Sequence, residues 1–339
     1  MILVAGESLI DLILSGPAGA GDAGGPGDVG GHADAGDSSD PGSVVLASPG
    51  GGPFNAARTI ARLGQPARFL GRFSDDPFGV MLAGQLVQDQ VELARPERVP
   101  QPTALAIVTL SGAGIPRYWF HLAGTAASVL DEASAAAALS DDVTAVHVGS
   151  LGLVVEPMAA EVERLVRRLP DPVLLLVDPN WRAAAIPDAA AHRDRIRRLL
   201  PRTDILKTST EDLTYLVPGS SVPEAAAALL SWGARCVLIT DGPEPVRAWT
   251  VAGQLEVPVP RVEVVDTVGA GDAFGGGFLA WWAEQGLTRE DLARPELLGA
   301  AVTAAARVSA LTCGRPGADP PWRGELDATG GWERAPARP

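Results

Sequence analysis

Short apolar runs alternate with amphipathic stretches along most of the chain. The apolar runs predict strands at about 2–14, 44–47, 67–72, 104–110, 143–148, 173–177, 205–207 and 236–240. The amphipathic stretches predict helices at 55–63, 78–90, 157–168, 190–200, 223–231, 272–285 and 295–311. Strand–helix alternation of this kind indicates a parallel sheet covered by helices on both faces. We therefore expect an α/β, doubly wound, mainly parallel architecture.

Two segments depart from this alternation. Residues 103–121 read as two strands around a turn, which predicts a hairpin and hence a small β-sheet lid. Residues 16–43 contain ten glycines, five aspartates and five alanines. Such a tract buries too little apolar surface to offset its ordering entropy, and we expect a flexible insertion, with a substrate-covering flap as the alternative.

These patterns predict one domain with a short extension. The domain covers residues 1–325, its lid is formed by about 9–47 and 98–125, and a C-terminal tail follows at 326–339.

Composition and charge narrow the class of protein. The chain has 339 residues, 46% hydrophobic and 20% charged, with a net charge of −14. This acidity argues against nucleic acid or an anionic membrane as a partner. No run of about 18 apolar residues predicts a membrane span, and the N-terminus reads as a first strand. Cys236 and Cys313 lie in apolar contexts and predict buried free thiols in a reducing, cytoplasmic setting.

The stretch Asp-Thr-Val-Gly-Ala-Gly-Asp-Ala-Phe at 266–274 carries the strongest chemical signal. Small residues at 269–271 let several backbone N–H groups converge at a helix start, which suits a polyanion such as a triphosphate. Asp272 adds a carboxylate among these donors, as a general base for an incoming hydroxyl requires. The only lysine, Lys207, is not in a Gly-Lys-Ser/Thr triplet, so a P-loop is excluded.

Other polar residues are candidates for the same site. Asn55 stands where a glycine-rich turn (48–54) meets a helix and can both donate to and accept from a polyol, although a simple helix cap is the alternative. The segment 7–11 places a carboxylate in an apolar strand, where sugar hydroxyls would satisfy it. Polar residues also follow predicted strands, where open α/β sheets bind ligands; these are Ser150, Asp178, Ser209 and Thr240.

Together these clusters resemble the ribokinase-like (PfkB) carbohydrate kinase family over nearly the whole chain. Segments 71–79, 178–182 and 207–213 add to the resemblance, and the last two are most similar to fructokinase-type members. The resemblance implies a ribokinase-like fold and transfer of the γ-phosphoryl group of ATP to a primary hydroxyl of a small, fructose-like sugar. It also implies Mg²⁺ at the phosphates and a monovalent cation such as K⁺.

The resemblance assigns roles residue by residue. Asp272 would be the base, and Gly269, Ala270 and Gly271 would form the anion hole. The sugar would be bound by Asp11, Gly51, Gly52 and Asn55, and the nucleotide by Ser209, Thr240 and Gly242. Asp212 or the adjacent Glu211 would serve Mg²⁺, and Asp266 with the Val268 carbonyl the monovalent cation.

Three departures from the family pattern concern the nucleotide side. The family's Asn-x-x-Glu element is replaced by the segment from Ser209 to Asp212. The 240–245 loop lacks the second glycine that is usual in the family. An asparagine that relatives have near the purine is replaced by Ala306.

Several alternatives stay open from sequence. A nucleoside kinase would share this machinery, and a non-catalytic sugar sensor could use the same scaffold. A dinucleotide-binding oxidoreductase is disfavoured because its glycine fingerprint follows the first strand. The partners expected are a sugar and ATP, with a homodimer formed through the lid.

Overall fold

The computed structural model describes residues 1–15, 44–110, 116–329 and 332–333. The predicted insertion at 16–43 and the hairpin turn at 111–115 lie outside these residues.

The described strands form a large sheet and two small ones. The large sheet has nine strands in the order β15-β14-β13-β12-β11-β10-β1-β4-β6, and the stretch from β13 to β6 is parallel. The strands are β1 Ile2–Ala5, β2 Leu9–Ser15, β3 Val44–Gly50, β4 Ala67–Leu70, β5 Phe73–Ser74, β6 Glu92–Leu93, β7 Arg98–Val99, β8 Ala104–Leu110, β9 Pro116–His121, β10 Ala145–Gly149, β11 Leu174–Asp178, β12 Ile205–Ser209, β13 Cys236–Thr240, β14 Val246–Thr250 and β15 Gly253–Val257.

Helices cover both faces of the large sheet, as predicted. Along β1, Ile2 and Val4 join one core cluster, whereas Leu3 and Ala5 join the other, because successive side chains point to opposite faces. The first cluster packs under α1, α2, α8 and α9, and the second under α3 to α7. The helices are α1 Gly52–Arg62, α2 Pro77–Gln88, α3 Glu132–Ala138, α4 Met158–Arg167, α5 Ala189–Leu199, α6 Thr210–Leu216, α7 Val222–Ser231, α8 Ala270–Glu284, α9 Pro295–Cys313 and α10 Arg323–Thr329.

The lid is a separate four-stranded sheet in the order β3-β2-β8-β9. The predicted hairpin within it is confirmed, since β8 and β9 pair antiparallel. The single predicted strand at 2–14 is wrong: it divides into β1 in the large sheet and β2 in the lid. The division occurs at Gly6, which has φ 154° and where a Cβ would lie 2.4 Å from Pro53 Cγ. Only glycine allows the chain to turn at this close approach.

The C-terminal helices pack on the first core cluster. α9 is long and apolar enough to cross a membrane by length and composition, but 56% of its apolar window is buried, as in a core helix of a soluble protein. Leu326 of α10 is also a core residue, and the Trp281 side chain donates to the Glu333 carbonyl at 2.8 Å. Described residues beyond 325 therefore contact the body of the domain.

Candidate active site

The start of α8 has the geometry of an anion-binding turn. Gly269 caps the helix with φ 75°, and a Cβ there would lie 2.5 Å from Ala318 Cβ, so a larger residue would meet both strain and a clash. The Ala270 N–H donates to the Thr267 carbonyl at 3.2 Å. The N–H groups of Gly271 and Asp272 belong to the first helical turn, which offers no intrahelical acceptor. Those two amides are available to a bound anion.

Asp272 lies in the first turn of α8 and is 8% exposed. Its Oδ2 accepts from Asn55 Nδ2 at 2.9 Å, and its Oδ1 accepts from Asn180 Nδ2 at 3.5 Å. Burial raises the pKa of the Asp272 carboxyl, while the Asn55 hydrogen bond and the nearby Lys207 and Arg182 act in the opposite direction. The site therefore holds a carboxylate that is oriented by amides and more basic than an exposed aspartate.

The predicted sugar-binding residues converge on Asp272. A Cβ on Gly52 would lie 3.2 Å from Asp272 Oδ1, so the start of α1 passes directly beside the base. The Asp11 carboxylate approaches from the lid, and burial followed by repulsion from Asp272 raises its pKa to about 6. Asn55 keeps its Oδ1 buried without a donor among the described residues. The Asn55 Oδ1 atom can therefore accept a hydrogen bond from a ligand hydroxyl.

Glycines shape the loop that carries these groups. A Cβ on Gly50 would lie 2.1 Å from Asp11 Oδ2, and one on Gly51, where φ is 111°, would lie 2.8 Å from the Glu7 carbonyl. Gly51 therefore allows the loop to approach the backbone of Glu7 and Ser8, just before β2, and Gly50 makes room for Asp11. The contribution of Gly50 was not predicted from the sequence.

Glu7 has a different role from Asp11, although both belong to the segment 7–11. Its Oε1 accepts from the Gly52 N–H at 3.1 Å and its Oε2 from the Gly152 N–H at 2.7 Å. Burial raises the pKa of Glu7 to about 7, against the opposing effect of these hydrogen bonds. Backbone amides and the Ser150 side chain, not sugar hydroxyls, satisfy this carboxyl group, and it holds Gly52 in place.

The predicted nucleotide residues stand on neighbouring strand ends. The register of β12 and β13 pairs Ser209 with Thr240, whose hydroxyl donates to the Thr208 carbonyl at 3.4 Å. Ser209 caps α6, with its Oγ accepting the Asp212 N–H at 3.0 Å. Gly242 is exposed in a turn at φ 54°, and a Cβ there would meet no atom within 4 Å. The 240–245 loop is open to solvent.

A cavity of about 500 Å³ lies between the segment after β15 and α9. Its lining includes Val259, Pro260, Thr303 and Arg307. Ala306, for which the family resemblance implies a position near the purine, is a core residue at 2% exposure. From α9, Thr303, Arg307, Ala310 and Leu311 line this cavity.

The two residues predicted for Mg²⁺ differ in availability. Both Asp212 oxygens accept hydrogen bonds, Oδ1 from the Trp181 N–H and Oδ2 from the Ser209 N–H and hydroxyl. Glu211 is exposed on the first turn of α6. Because Mg²⁺ keeps several waters and uses few carboxylates, Glu211 fits such a role better. Among the residues that the structure describes, no group of three or more His, Cys, Asp or Glu forms a metal cluster.

Asp266 organises the loop predicted for a monovalent cation. Its Oδ1 accepts from the Val268 N–H at 3.0 Å, and its Oδ2 accepts from the Gly317 N–H at 2.8 Å. The Val265 and Asp266 amides both donate to the Cys313 carbonyl. The carboxylate thus ties the loop before α8 to the segment after α9, and the cation role stays a prediction.

Sequence reasoning missed Asn180 as a contact of the base. Asn180 has φ 43° and Ser150 has φ 53°, and both residues follow a strand of the large sheet. Left-handed conformations at non-glycine residues are strained and cluster at functional sites. Polar residues that follow predicted strands indicated this end of the sheet as a site, but the strained backbone at Asn180 cannot be predicted from sequence.

Comparisons with known proteins show which family this chain is similar to. A family model described as pfkB family carbohydrate kinase matches residues 28–323. A fructokinase from Rhizobium leguminosarum bv. trifolii is 36% identical over 231 residues, which cover 68% of this chain and 70% of that protein. Probable fructokinase-5 from Arabidopsis thaliana is 32% identical over 252 residues, or 73% of this chain and 77% of that one.

Solved structures show the same fold. A fructokinase from Xylella fastidiosa with bound ATP is 26% identical with a TM-score of 0.75, covering 94% of this chain and 93% of that one. The predicted family and the ribokinase-like α/β fold with its small separate sheet are confirmed. The chain belongs to the pfkB family of carbohydrate kinases and is a phosphotransferase with an alcohol group as acceptor.

Proposed function

We propose that this enzyme transfers the γ-phosphoryl group of ATP to a primary hydroxyl of a fructose-like sugar. The observation that carries the proposal is Asp272, buried at the start of α8, bonded to Asn55 and adjacent to Gly52. The fructokinase relatives and the ATP-bound fructokinase of Xylella fastidiosa support the choice of sugar and nucleotide.

In this mechanism Asp272 removes the proton from the attacking hydroxyl as the hydroxyl oxygen bonds to the γ-phosphorus. The bond between that phosphorus and the β–γ bridging oxygen breaks, and ADP leaves. General-base assistance of this kind contributes about 10²–10⁴-fold. The Asn55 amide orients the Asp272 carboxylate by donating to its Oδ2. Asp11 offers the sugar a second acceptor. The N–H groups of Gly271 and Asp272 stabilise charge on the transferring phosphoryl group.

Cations would complete the charge balance at the phosphates. When bound, Mg²⁺ neutralises charge on the phosphate oxygens, and Glu211 is the carboxylate suited to hold it through water. Asp266 and the Val268 carbonyl would hold a monovalent cation such as K⁺ beside the anion hole.

A coupled ADP-release assay tests the acceptor class. The panel comprises fructose, ribose, 2-keto sugar acids and nucleosides, and we expect the largest kcat/KM with fructose. A larger value with a nucleoside would favour the nucleoside kinase alternative. Sugar binding by calorimetry with neither ATP binding nor ADP release would identify a sensor.

We further propose a homodimer formed through the lid and a cytoplasmic location. The lid exposes several apolar side chains, with Leu46 of β3 58% and Trp119 of β9 48% exposed. Leu46→Asp should shift the mass measured by light scattering from dimer to monomer. The free thiols of Cys236 and Cys313 suit a reducing compartment.

A further inference from the structure

The only lysine of the chain forms a buried ion pair at the carboxyl end of the sheet. Lys207 Nζ donates to Asp178 Oδ2 at 2.8 Å, and the two side chains are 6% and 2% exposed. The β11–β12 register pairs Val177 with Leu206, so Asp178 and Lys207 follow as neighbours on adjacent parallel strands. The other 26 of the 27 lysine and arginine residues are arginines.

The ammonium lies against the first turn of α8. A Cβ on Gly271 would be 2.7 Å from Lys207 Nζ, so the absence of a side chain at 271 creates the space that the ammonium occupies. A compact ammonium suits this space, whereas a guanidinium is a wider, planar group. Gly271 thus has a structural reason to be glycine besides the predicted anion hole.

The charges around Asp272 are predominantly negative. Asp11 approaches from β2, Asp178 from β11 and Asp212 from α6, and their carboxylates act electrostatically on Asp272, Lys207 or both. Lys207 is the buried cation that offsets them, and the other cation acting on Asp272, Arg182, is exposed. Asp178 Oδ1 has no donor among the described residues, so the Lys207–Asp178 ion pair leaves one buried acceptor without a hydrogen bond.

We propose that Lys207 is a positioning residue for phosphoryl transfer, whose ammonium, fixed beneath Gly271 by Asp178, keeps Asp272 ionised and lets the anionic phosphoryl group approach this acidic cluster. The inference rests on the proposed function. Lys207 acts through Asp272 and the start of α8. His147, which is buried near Lys207, is neutral because burial and then Lys207 lower its pKa to about 3.

The test compares Lys207→Met with the double variant Lys207→Met/Asp178→Asn. The single variant leaves Asp178 buried without its partner and is expected to fold less well. The double variant removes both charges together, which relieves that penalty. We expect kcat to fall at least ~30-fold in the double variant, because, of the two charges removed, only that of Lys207 stabilises the ionised Asp272.

The pH profile separates positioning from a purely structural role. Because Lys207 lowers the pKa of Asp272, its removal should move the acid limb of kcat/KM upward in the double variant. Arg289→Met is the matched control. Arg289 pairs with buried Asp204, which immediately precedes β12, the strand that carries Lys207. The Arg289→Met variant should therefore keep the wild-type kcat and the wild-type acid limb.

A double variant with kcat within about threefold of wild type and an unmoved acid limb overturns the inference, even if the single variant is insoluble. Absence of sugar-dependent ADP release by the wild-type enzyme would instead reject the proposed function. The two failures are therefore distinguishable.

Discussion

Two buried clusters of charge on the same side of the sheet differ in how completely they are satisfied. In the arginine cluster, Arg58 and Arg62 of α1 both donate to Asp89, at 2.6 and 3.0 Å. Their remaining N–H groups reach the Ala318 carbonyl at 2.9 Å and the Pro320 carbonyl at 2.7 Å. Both oxygens of Asp89 are used, and the cluster needs nothing from outside the chain.

In the catalytic cluster, formed by Asn55, Asp178, Lys207 and Asp272, acceptors are left over. Neither Asn55 Oδ1 nor Asp178 Oδ1 has a donor in the part of the chain that the structure describes. Buried polar atoms are normally paired, and unpaired ones require an explanation such as an unbound ligand or water. In this pair of clusters, the one whose hydrogen-bonding groups are all used is structural, whereas the one with unused acceptors lies at the candidate active site.

α1 connects the two clusters. It carries Asn55 near its start and Arg58 and Arg62 further along, so one helix both orients the base and anchors the segment after α9. That segment contains Ala318, which packs against Gly269 at the start of α8. Perturbing the arginine cluster should change stability, and perturbing the catalytic cluster should change turnover.

Asp89→Ala should produce the largest loss of stability. It leaves two guanidinium groups buried side by side with the exposed Asp319 as their remaining carboxylate partner. Breaking a buried pair of this kind costs about 3–5 kcal/mol. Urea unfolding measures the effect, while kcat of the folded fraction should stay near wild type. Glu92→Ala is the control, because this partner of Arg68 is exposed and should cost less than about 1 kcal/mol. An Asp89→Ala loss within 1 kcal/mol would contradict a structural role.

Asn55→Ala should lower kcat by about 10–100-fold with a smaller change in stability. The variant loses the amide that orients Asp272 and that lowers its pKa. The wild-type acid limb of kcat/KM should lie above the ordinary aspartate value of 3.8, since the base must be ionised and burial raises its pKa. In the variant this limb should move further upward. An unchanged limb would show that Asn55 does not act on the base.

Gly276→Ala tests the packing of α8 on α1. A Cβ there would lie 2.7 Å from Thr59 Cβ and 2.8 Å from the Ala56 carbonyl, so the two helices must separate. Overpacking of this kind costs about 1–3 kcal/mol, measurable by urea unfolding. An accompanying fall in kcat would show that α1 transmits the disturbance to Asn55.

Gly299→Ala is the matched substitution with the smallest expected effect. Gly299 lies within α9, and a Cβ there would meet no atom within 4 Å. Alanine should stabilise the protein by about 0.5–1 kcal/mol through its helix propensity, with turnover unchanged. Destabilisation would contradict the open space beside position 299.

Much of the fold and the identity of the base could be predicted from sequence. Buried parallel strands such as β13 are continuous apolar runs, and Asp272 follows a distinctive glycine-rich turn. The antiparallel edge strands β14 and β15 were missed because they mix polar and apolar residues. The seven-residue α6 was missed because a helix of two turns has almost no periodicity.

The supporting residues of the site could not be predicted. Lys207 meets α8 only through the register of β11 and β12 and through the missing side chain at Gly271. The division at Gly6 moves β2 into the lid, and it depends on contact with Pro53, 47 residues later in the chain. Such contacts are properties of the packed molecule, and no local pattern encodes them.

The proposed role of Asp272 as the base for the sugar hydroxyl is tested by one substitution. Asp272→Asn keeps the size of the side chain but abolishes the base. We expect kcat for fructose to fall at least about a hundredfold while calorimetry shows wild-type ATP affinity. Turnover within a few-fold of wild type would show that Asp272 is not the base.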